Sequence, residues 1–375
     1  MPSPDIQTIE LLQLASGDVL SLQVYRFIGK PGKKAYLQAN LHGGEIVGNG
    51  ILQSLIEELT LLPPEQLQGE ICIVPLCNPL GLNQRNHFFA TGRFNPYDGK
   101  DWNRIFWDYS QVWGDIETFA RSQIHLPAAQ IEANFCLRLQ RALEREAEAF
   151  ATSASVPYYQ RYRYILQRLS VDAQYILDLH SSSNRGTDYL FCFSSREKSA
   201  PYFLIDYGIL MESYEGVSYD EACFKPWLLY EDVLAKLGAP LKFDRETWTL
   251  EYGSGMHLSP TSLKRGSAGI RNYLQAKGFF PQAETHIKTT PIRLVGRHNL
   301  AKYYAPAGGI IQNRAPLNSY VQAGQRLYQI LAFPPGAMPV YQDVCASASG
   351  LVYDVSYCES VNQGEYVLAM MYWET

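Results

Sequence analysis

The sequence has few features that direct a protein to membranes or nucleic acids. No run of residues approaches the roughly 18 uninterrupted apolar residues that a transmembrane helix needs. The segment from Met1 to Leu20 has no basic stretch followed by an apolar stretch, so we expect no signal peptide. The net charge is −5 and the basic residues form no stripe, which argues against nucleic acid or a membrane surface as a partner.

The cysteines and lysines also exclude certain roles. The seven cysteines are scattered, odd in number and without C-x-x-C spacing, so we expect free thiols in a reducing compartment, with cytoplasm as the default. The glycine spacing of the C-terminal segment resembles that of biotin- or lipoate-carrying domains, but no lysine occurs after Lys302 to accept such a group. A carrier role is therefore excluded.

The chain is long enough for two domains, because 375 residues with 46% apolar content can bury a large core. Residues 1–285 alternate strand-like and helix-like segments, with helical spacing at 46–61, 158–169 and 261–278. Residues 30–34 read as a turn, and 202–237 as mostly helical. From residue 286 onward, short alternating segments punctuated by glycine predict a small all-β domain, 286–375.

Polar side chains follow or end four of the predicted buried strands. The strands are residues 35–41, 69–76, 173–180 and 241–252. The first leads into His42 and Glu45, the second into Asn78, the third ends at His180, and the fourth carries Glu251. In an open α/β sheet, ligands bind in the crevice outside the carboxyl ends of the strands. We therefore expect these side chains to converge on one site.

His42, Glu45 and His180 are the residue types that a catalytic zinc ion binds. His42 and Glu45 are three residues apart on a strand-to-helix turn, and the two glycines between them permit a tight turn. Imidazole nitrogen and carboxylate oxygen are ligands of catalytic Zn²⁺, which keeps one position open. An H-x-x-E pair alone is more often a solvated turn, but the second histidine at a strand end favours a metal site.

The order of these motifs resembles a known family. H-x-x-E is followed by N-P-x-G, by an Asn-Arg pair, by a strand ending in D-L-H and by T-x-E-x-G. This series is similar to the zinc carboxypeptidase superfamily, closest to its succinylglutamate desuccinylase/aspartoacylase branch, over residues 35–280. The resemblance implies an α/β fold: a three-layer zinc-carboxypeptidase-like domain with a central mixed, largely parallel sheet, plus a small C-terminal all-β domain.

The resemblance also implies roles for the matching residues. His42, Glu45 and His180 would bind one Zn²⁺ per chain, and Glu251 would be the general base. The Asn-Arg pair, Asn103 and Arg104, would grip a substrate carboxylate.

An arginine upstream of that pair would polarise the scissile carbonyl. Arg93 is favoured over Arg85 because it is nearer the pair, and both remain candidates. Asn78 is a weaker substrate-binding candidate, since an Asn-Pro turn is more often structural. Asp178, two residues before His180, is expected either to support His180 or to anchor the following loop.

The implied activity is zinc-dependent hydrolysis of an amide bond in a small-molecule substrate that carries a carboxylate. An N-acyl amino acid deacylase is the first choice. The alternatives are a metallocarboxypeptidase that acts on short peptides and a catalytically silent zinc-binding homologue. A homo-oligomeric state stays open.

Overall fold

A computed structural model describes residues 4–87, 90–109, 114–151, 156–213, 217–281 and 286–373. In chain order its strands are β1 (Asp5–Gln13), β2 (Val19–Ile28), β3 (Lys30–Ala39), β4 (Gln68–Val74), β5 (Tyr175–Ser182), β6 (Arg185–Gly186), β7 (Tyr189–Phe193), β8 (Tyr207–Met211), β9 (Glu246–Ser254), β10 (Arg293–Gly296), β11 (Leu300–Tyr304), β12 (Gly309–Gln312), β13 (Tyr320–Val321), β14 (Arg326–Ala332), β15 (Val340–Cys345), β16 (Gly350–Val355), β17 (Ser360–Val361) and β18 (Tyr366–Tyr372). The α-helices are α1 (Val47–Leu61), α2 (Pro79–Leu82), α3 (Ile116–Gln123), α4 (Ala128–Ala151), α5 (Tyr158–Ser170), α6 (Tyr219–Lys236) and α7 (Pro260–Ala276).

Nine strands form the main sheet, in the order β1-β2-β4-β3-β5-β9-β7-β8-β10. The sheet is mixed and largely parallel, and its central strands β3, β5 and β9 run in the same direction. Their carboxyl ends therefore lie at one edge. The sequence pattern predicted that His42, His180 and Glu251 lie at this edge.

Helices cover both faces of the main sheet, which gives the predicted three layers. On one face, α1 and α7 pack against Leu37, Leu177 and Leu250 of the central strands. On the other face, Tyr162 of α5 joins a second core that contains Tyr36. Within the described ranges, no helix combines the length and apolarity needed to cross a bilayer.

The C-terminal part consists of antiparallel β-structure, as predicted. One sheet has the order β11-β18-β16-β13, with β6 paired to β16, and the other has the order β15-β14-β12-β17. β10 lies beyond the predicted boundary at 285 yet pairs with β8, so the main sheet extends to Gly296. Residues 282–285 lie outside the described residues, and the division at 285 stays a prediction.

The three helices expected from apolar spacing are confirmed as α1, α5 and α7, with ends within one or two residues. The turn predicted at 30–34 is wrong. β3 already begins at Lys30, and an irregularity in its register between Lys30 and Lys34 accommodates the proline and glycine there. The mostly helical reading of 202–237 missed the short apolar strand β8, which precedes α6.

Candidate active site

The turn between β3 and α1 brings His42 and Glu45 together. Asn40 has a positive φ of 71° and donates its side-chain amide to the Gly43 carbonyl at 2.8 Å. Gly43 must lack a side chain, because a Cβ there would lie 2.0 Å from the backbone of Gly81. This close backbone approach explains the first of the two glycines in the H-G-G-E sequence.

His42, Glu45 and His180 form one buried cluster. His42 Nδ1 lies 2.9 Å from one carboxylate oxygen of Glu45, and His180 Nδ1 lies 2.9 Å from the other. The three side chains offer ligand atoms that all lie within 4.8 Å of one another. Each residue is at most 3% exposed to solvent. The predicted metal-binding residues are therefore brought together.

The outer ring nitrogens of both histidines contact carboxylates. His42 Nε2 lies 3.0 Å from Asp101 Oδ1, and His180 Nε2 lies 2.8 Å from Asp178 Oδ2. Metal-binding histidines are commonly oriented in this way, because a carboxylate on one nitrogen leaves the other free to bind the metal. The donor set thus fits a catalytic zinc ion. The predicted support of His180 by Asp178 is confirmed.

Charge interactions shift the pKa values within this cluster. Burial opposes ionisation of Glu45, but His42 and His180 outweigh it and hold the pKa of Glu45 well below its usual range. Burial would likewise lower the pKa of His180, yet Asp178 and Glu45 raise it well above its ordinary value. A bound cation would compete with these protons, since metal ligands must be deprotonated.

Glu251 lies on β9 in register with His180 on β5. Its Oε2 is buried and has no hydrogen-bond partner among the described residues. Burial is the main cause that raises the pKa of Glu251 to about 7, against the opposing effect of His180. A carboxylate with this pKa can both accept and release a proton near neutral pH.

Of the two candidate arginines, Arg93 reaches the site. Its Nε lies 3.0 Å from Asp101 Oδ2, and its Nη1 lies 3.7 Å from Glu45 Oε1. Arg85 is exposed, and its Nη1 donates to the carbonyls of Leu82, at the end of α2, and of the neighbouring Gln84. The geometry favours Arg93.

The cluster opens into a cavity of about 720 Å³. Its lining includes His42, Glu45, His180, Glu251 and Arg93, together with residues at the start of α6 and in the C-terminal β-structure. This volume exceeds what a zinc ion and its ligands need, so a small molecule has space beside the cluster.

Asn103 and Arg104 both line this cavity. The side-chain oxygen of Asn103 accepts a hydrogen bond from Tyr219 N at 2.8 Å, at the first turn of α6. Arg104 Nη1 donates to the Asn103 carbonyl at 2.6 Å, and no carboxylate pairs with this arginine in the described part of the chain. Its guanidinium is thus available to a ligand.

Asn78 does not line the cavity. It is fully buried, donates to the Leu41 carbonyl at 2.7 Å, and accepts from Gly81 N as the N-cap of α2. Since both ends of its amide are used, the structure supports a structural role for Asn78 rather than substrate contact.

Comparison with known proteins identifies the family. A family model described as the succinylglutamate desuccinylase/aspartoacylase catalytic domain matches residues 31–277, which include His42, Glu45, His180 and Glu251. The chain belongs to the succinylglutamate desuccinylase/aspartoacylase family. Membership implies an activity of the deacylase type. No curated protein matches the chain in sequence.

Solved structures support this placement. A succinylglutamate desuccinylase/aspartoacylase family protein from Shewanella amazonensis SB2B is 30% identical, with 98% of each chain covered and a TM-score of 0.87. A protein named for the same family, from Shewanella frigidimarina NCIMB 400, is 26% identical, with 99% of this chain and 98% of that chain covered and a TM-score of 0.89. The product-bound ectoine utilization protein EutE (DoeB) from Ruegeria pomeroyi shares the fold at 15% identity, covering 100% of this chain and 97% of that chain, with a TM-score of 0.67.

Sequence reasoning missed several residues that line or support the site in this family member. Asp101 contacts both His42 and Arg93, although only its nearness to the Asn-Arg pair could have suggested a role. Lys302 and Asp354 reach the cavity from the C-terminal β-structure. No local pattern marks them, because they lie far from the other site residues in sequence.

Proposed function

We propose that this family member is a zinc-dependent amidohydrolase that cleaves an amide bond in a small substrate with a free carboxylate. Deacylation of an N-acyl amino acid is the first choice. One observation carries the proposal: His42, Glu45 and His180 present converging donor atoms while Asp101 and Asp178 hold the outer nitrogens.

One Zn²⁺ per chain would be held by His42 Nδ1, His180 Nδ1 and the Glu45 carboxylate. When bound, it would supply Lewis acidity and lower the pKa of a water ligand to about 7. Two imidazoles and one carboxylate leave a position open for water or substrate. This donor set distinguishes a catalytic site from a closed structural one.

Glu251 is proposed as the general base. Its unpartnered buried oxygen and its pKa of about 7 suit a group that takes a proton from the attacking water and passes it to the leaving amine nitrogen. Arg93 is proposed to donate to the oxygen on which negative charge develops, because it already lies beside Glu45 at the cluster.

Arg104 is proposed to bind the substrate carboxylate, with Asn103 beside it in the cavity wall. A planar guanidinium can donate two parallel hydrogen bonds to a carboxylate, which fixes orientation as well as affinity. The same contact would hold the C-terminal carboxylate of a short peptide. Arg104 is therefore compatible with both a deacylase and a metallocarboxypeptidase. Only substrate trials distinguish the two activities.

The metal assignment is tested by zinc content. We expect close to one zinc per purified chain, and a sharp loss of zinc in His42→Ala, Glu45→Ala and His180→Ala. His298→Ala is the matched control, since His298 is exposed and lies on a different element. Full zinc content in all three cluster variants would end the assignment.

The reaction is tested by trials of N-acyl amino acids against dipeptides. Faster turnover of the N-acyl amino acids supports deacylation, and faster turnover of dipeptides supports the carboxypeptidase. If neither is hydrolysed by zinc-loaded protein, the catalytically silent homologue is the better description.

We also propose a cytoplasmic location. All seven cysteines are free thiols, including the exposed Cys345 and Cys358, as expected in a reducing compartment. Cell fractionation tests this, and recovery from an oxidising compartment would contradict it.

A further inference from the structure

The segment of residues 181–184, here called the serine loop, comprises the last two residues of β5 and the two residues that connect it to β6, and it contacts Glu45. Ser181 donates its backbone N–H to Glu45 Oε2 at 3.2 Å, and Ser183 donates its hydroxyl to Glu45 Oε1 at 3.3 Å. Both oxygens of Glu45 therefore receive a donor from this loop. A displacement of the loop would remove donors that orient this carboxylate towards His42 and His180.

Asp354, on β16 of the C-terminal β-structure, holds the other side of the serine loop. It accepts hydrogen bonds from the Ser182 hydroxyl and, at 3.2 Å, from the Asn184 amide. A third donor is the Tyr366 hydroxyl. Asp354 is only 8% exposed, so this carboxylate depends on these donors in place of water.

Backbone contacts place Asp354 firmly against the loop. β6 pairs with β16, with Gly186 opposite Asp354. A Cβ on Gly186 would lie 2.7 Å from Ser182 Cβ, which shows how closely the chains approach. The adjacent Thr187 N donates to the Tyr353 carbonyl at 2.9 Å. The carboxylate is therefore fixed where it meets the loop.

We propose that Asp354 is a positioning residue, through which the C-terminal β-structure holds the serine loop against Glu45 and so sets the zinc affinity of the His42, Glu45 and His180 cluster. The inference rests on the proposed function only in taking that cluster as the zinc site. A carboxylate suits this position because it is an acceptor only, and three donors face it. An asparagine would turn an N–H₂ group towards donors.

The test is the zinc affinity of metal-free protein, measured by competition with a chromogenic chelator. Groups that orient metal ligands typically contribute 10–100-fold to affinity, and we expect Asp354→Asn to raise the Kd for zinc by about tenfold. Glu365→Gln is the matched control: among the residues that the structure describes, this exposed carboxylate of the same β-structure bonds within its own turn, to Asn362. Its Kd should stay within about twofold of wild type, because it is separate from the loop.

A second variant approaches the contact from the loop side. Ser182→Ala removes the hydroxyl donor to Asp354 and should weaken zinc binding in the same direction. In the double variant with Asp354→Asn, the rise in Kd should be smaller than the product of the two single rises, because both substitutions remove the Ser182–Asp354 hydrogen bond. If Asp354→Asn does not fold, Ser182→Ala carries the test alone.

The outcomes separate the two proposals. Wild-type protein that binds no zinc would overturn the proposed function and this inference together. Normal zinc binding by wild type, with Asp354→Asn and Ser182→Ala within about twofold of it, would overturn the inference alone. Additive effects in the double variant would show that the two residues act separately, and would also overturn it.

Discussion

Strand β9 carries two glutamates with opposite surroundings. Glu246, at its amino end, is saturated by four donors, with Lys277 Nζ 2.6 Å from Oε1. The other three donors are Ser199 Oγ, Trp248 Nε1 and Tyr273 Oη. Glu251, five residues later, has a buried oxygen, Oε2, without a hydrogen-bond partner in the described part of the chain, and burial raises its pKa to about 7. Two glutamates of one strand thus differ in hydrogen bonding: the carboxylate of Glu246 is fully paired, whereas Glu251 keeps an oxygen that lacks a described partner.

The two ends of the main sheet repeat this difference. At the amino ends of β3, β5 and β9, Lys33 contacts Tyr175 at 2.8 Å and pairs with Asp244. Opposite charges there compensate each other. At the carboxyl ends, the buried oxygen of Glu251 that lacks a described partner destabilises the folded protein, because burial removes it from water without a replacement hydrogen bond. The amino-end network thus stabilises the fold, whereas the proposed role of the carboxyl-end groups is to bind and act on a ligand.

The largest effect is expected from Glu251→Gln, which keeps the shape of the side chain but removes proton acceptance. The loss should lie mostly in kcat, about 10²–10⁴-fold, as is typical of general acid–base catalysis. The zinc content of the variant and its affinity for a substrate-like inhibitor should remain near those of the wild type. Steady-state kinetics and zinc analysis of the variant check this.

Other results for Glu251→Gln would contradict the proposed difference between Glu251 and Glu246. Loss of zinc from Glu251→Gln would make this residue a metal ligand, and loss of thermal stability together with activity would make it structural. Wild-type activity would leave the mechanism without its proton carrier.

The next effect, comparable in size, is expected from Arg104→Ala. Charge-assisted hydrogen bonds contribute about 1.5–3 kcal/mol each, so loss of two should lower kcat/KM by about two or more orders of magnitude on carboxylate substrates. The corresponding amide substrates should lose much less, because the clamp already binds them poorly. Kinetics on matched acid and amide substrates check this. Equal losses of kcat/KM on acid and amide substrates would mean that Arg104 has a structural role and does not bind the carboxylate.

Glu246→Gln should have the converse effect to Glu251→Gln. It leaves Lys277 without its buried partner, so the free energy of unfolding should fall by about 3 kcal/mol. The kcat of the folded enzyme should change by less than about twofold, since Glu246 is at the other end of the strand. Denaturant unfolding and kinetics at low temperature check both. A large loss of kcat with normal stability would reverse the comparison.

The smallest effect concerns the pH dependence of stability in zinc-free protein. The pKa of Glu251 rises from its usual 4.5 to about 7 on folding, mainly through burial. Its protonated form stabilises the fold below the unfolded pKa, and that contribution is lost as pH rises through the folded pKa.

The stability of wild type relative to Glu251→Gln should therefore fall between about pH 5 and about pH 8. Denaturant unfolding of both chelator-treated proteins at the two pH values measures it. A constant difference would contradict the raised pKa of Glu251.

Much of the main sheet was predictable from the chain. Apolar runs with turn residues at their ends predicted the cores of β3, β4, β5 and β9, and periodic apolar spacing predicted α1. β8 and β10 were harder, because strands of five and four residues carry too little periodicity to be recognised. The turn at 30–34 failed because proline and glycine are tolerated in β3 at an irregular pairing.

The site residues that could be predicted from the sequence are those at the ends of predicted strands. His42, Glu45, His180 and Glu251 each follow or close an apolar run, and parallel strands bring such ends to one edge. The contact of Asp178 with His180 was one of the two expectations for this aspartate, since residues two apart on a strand share a face.

The sequence by itself determined which residue types stand at the ends of the central strands, because that depends only on local pattern. Tertiary structure alone decided that Asp101 supports His42, that Arg93 rather than Arg85 reaches Glu45, and that Asp354 meets the serine loop. Asp354 and Ser182 are 172 residues apart, and their contact follows from the pairing of β6 with β16. Such pairings depend on the packing of whole elements, which no short stretch of sequence records.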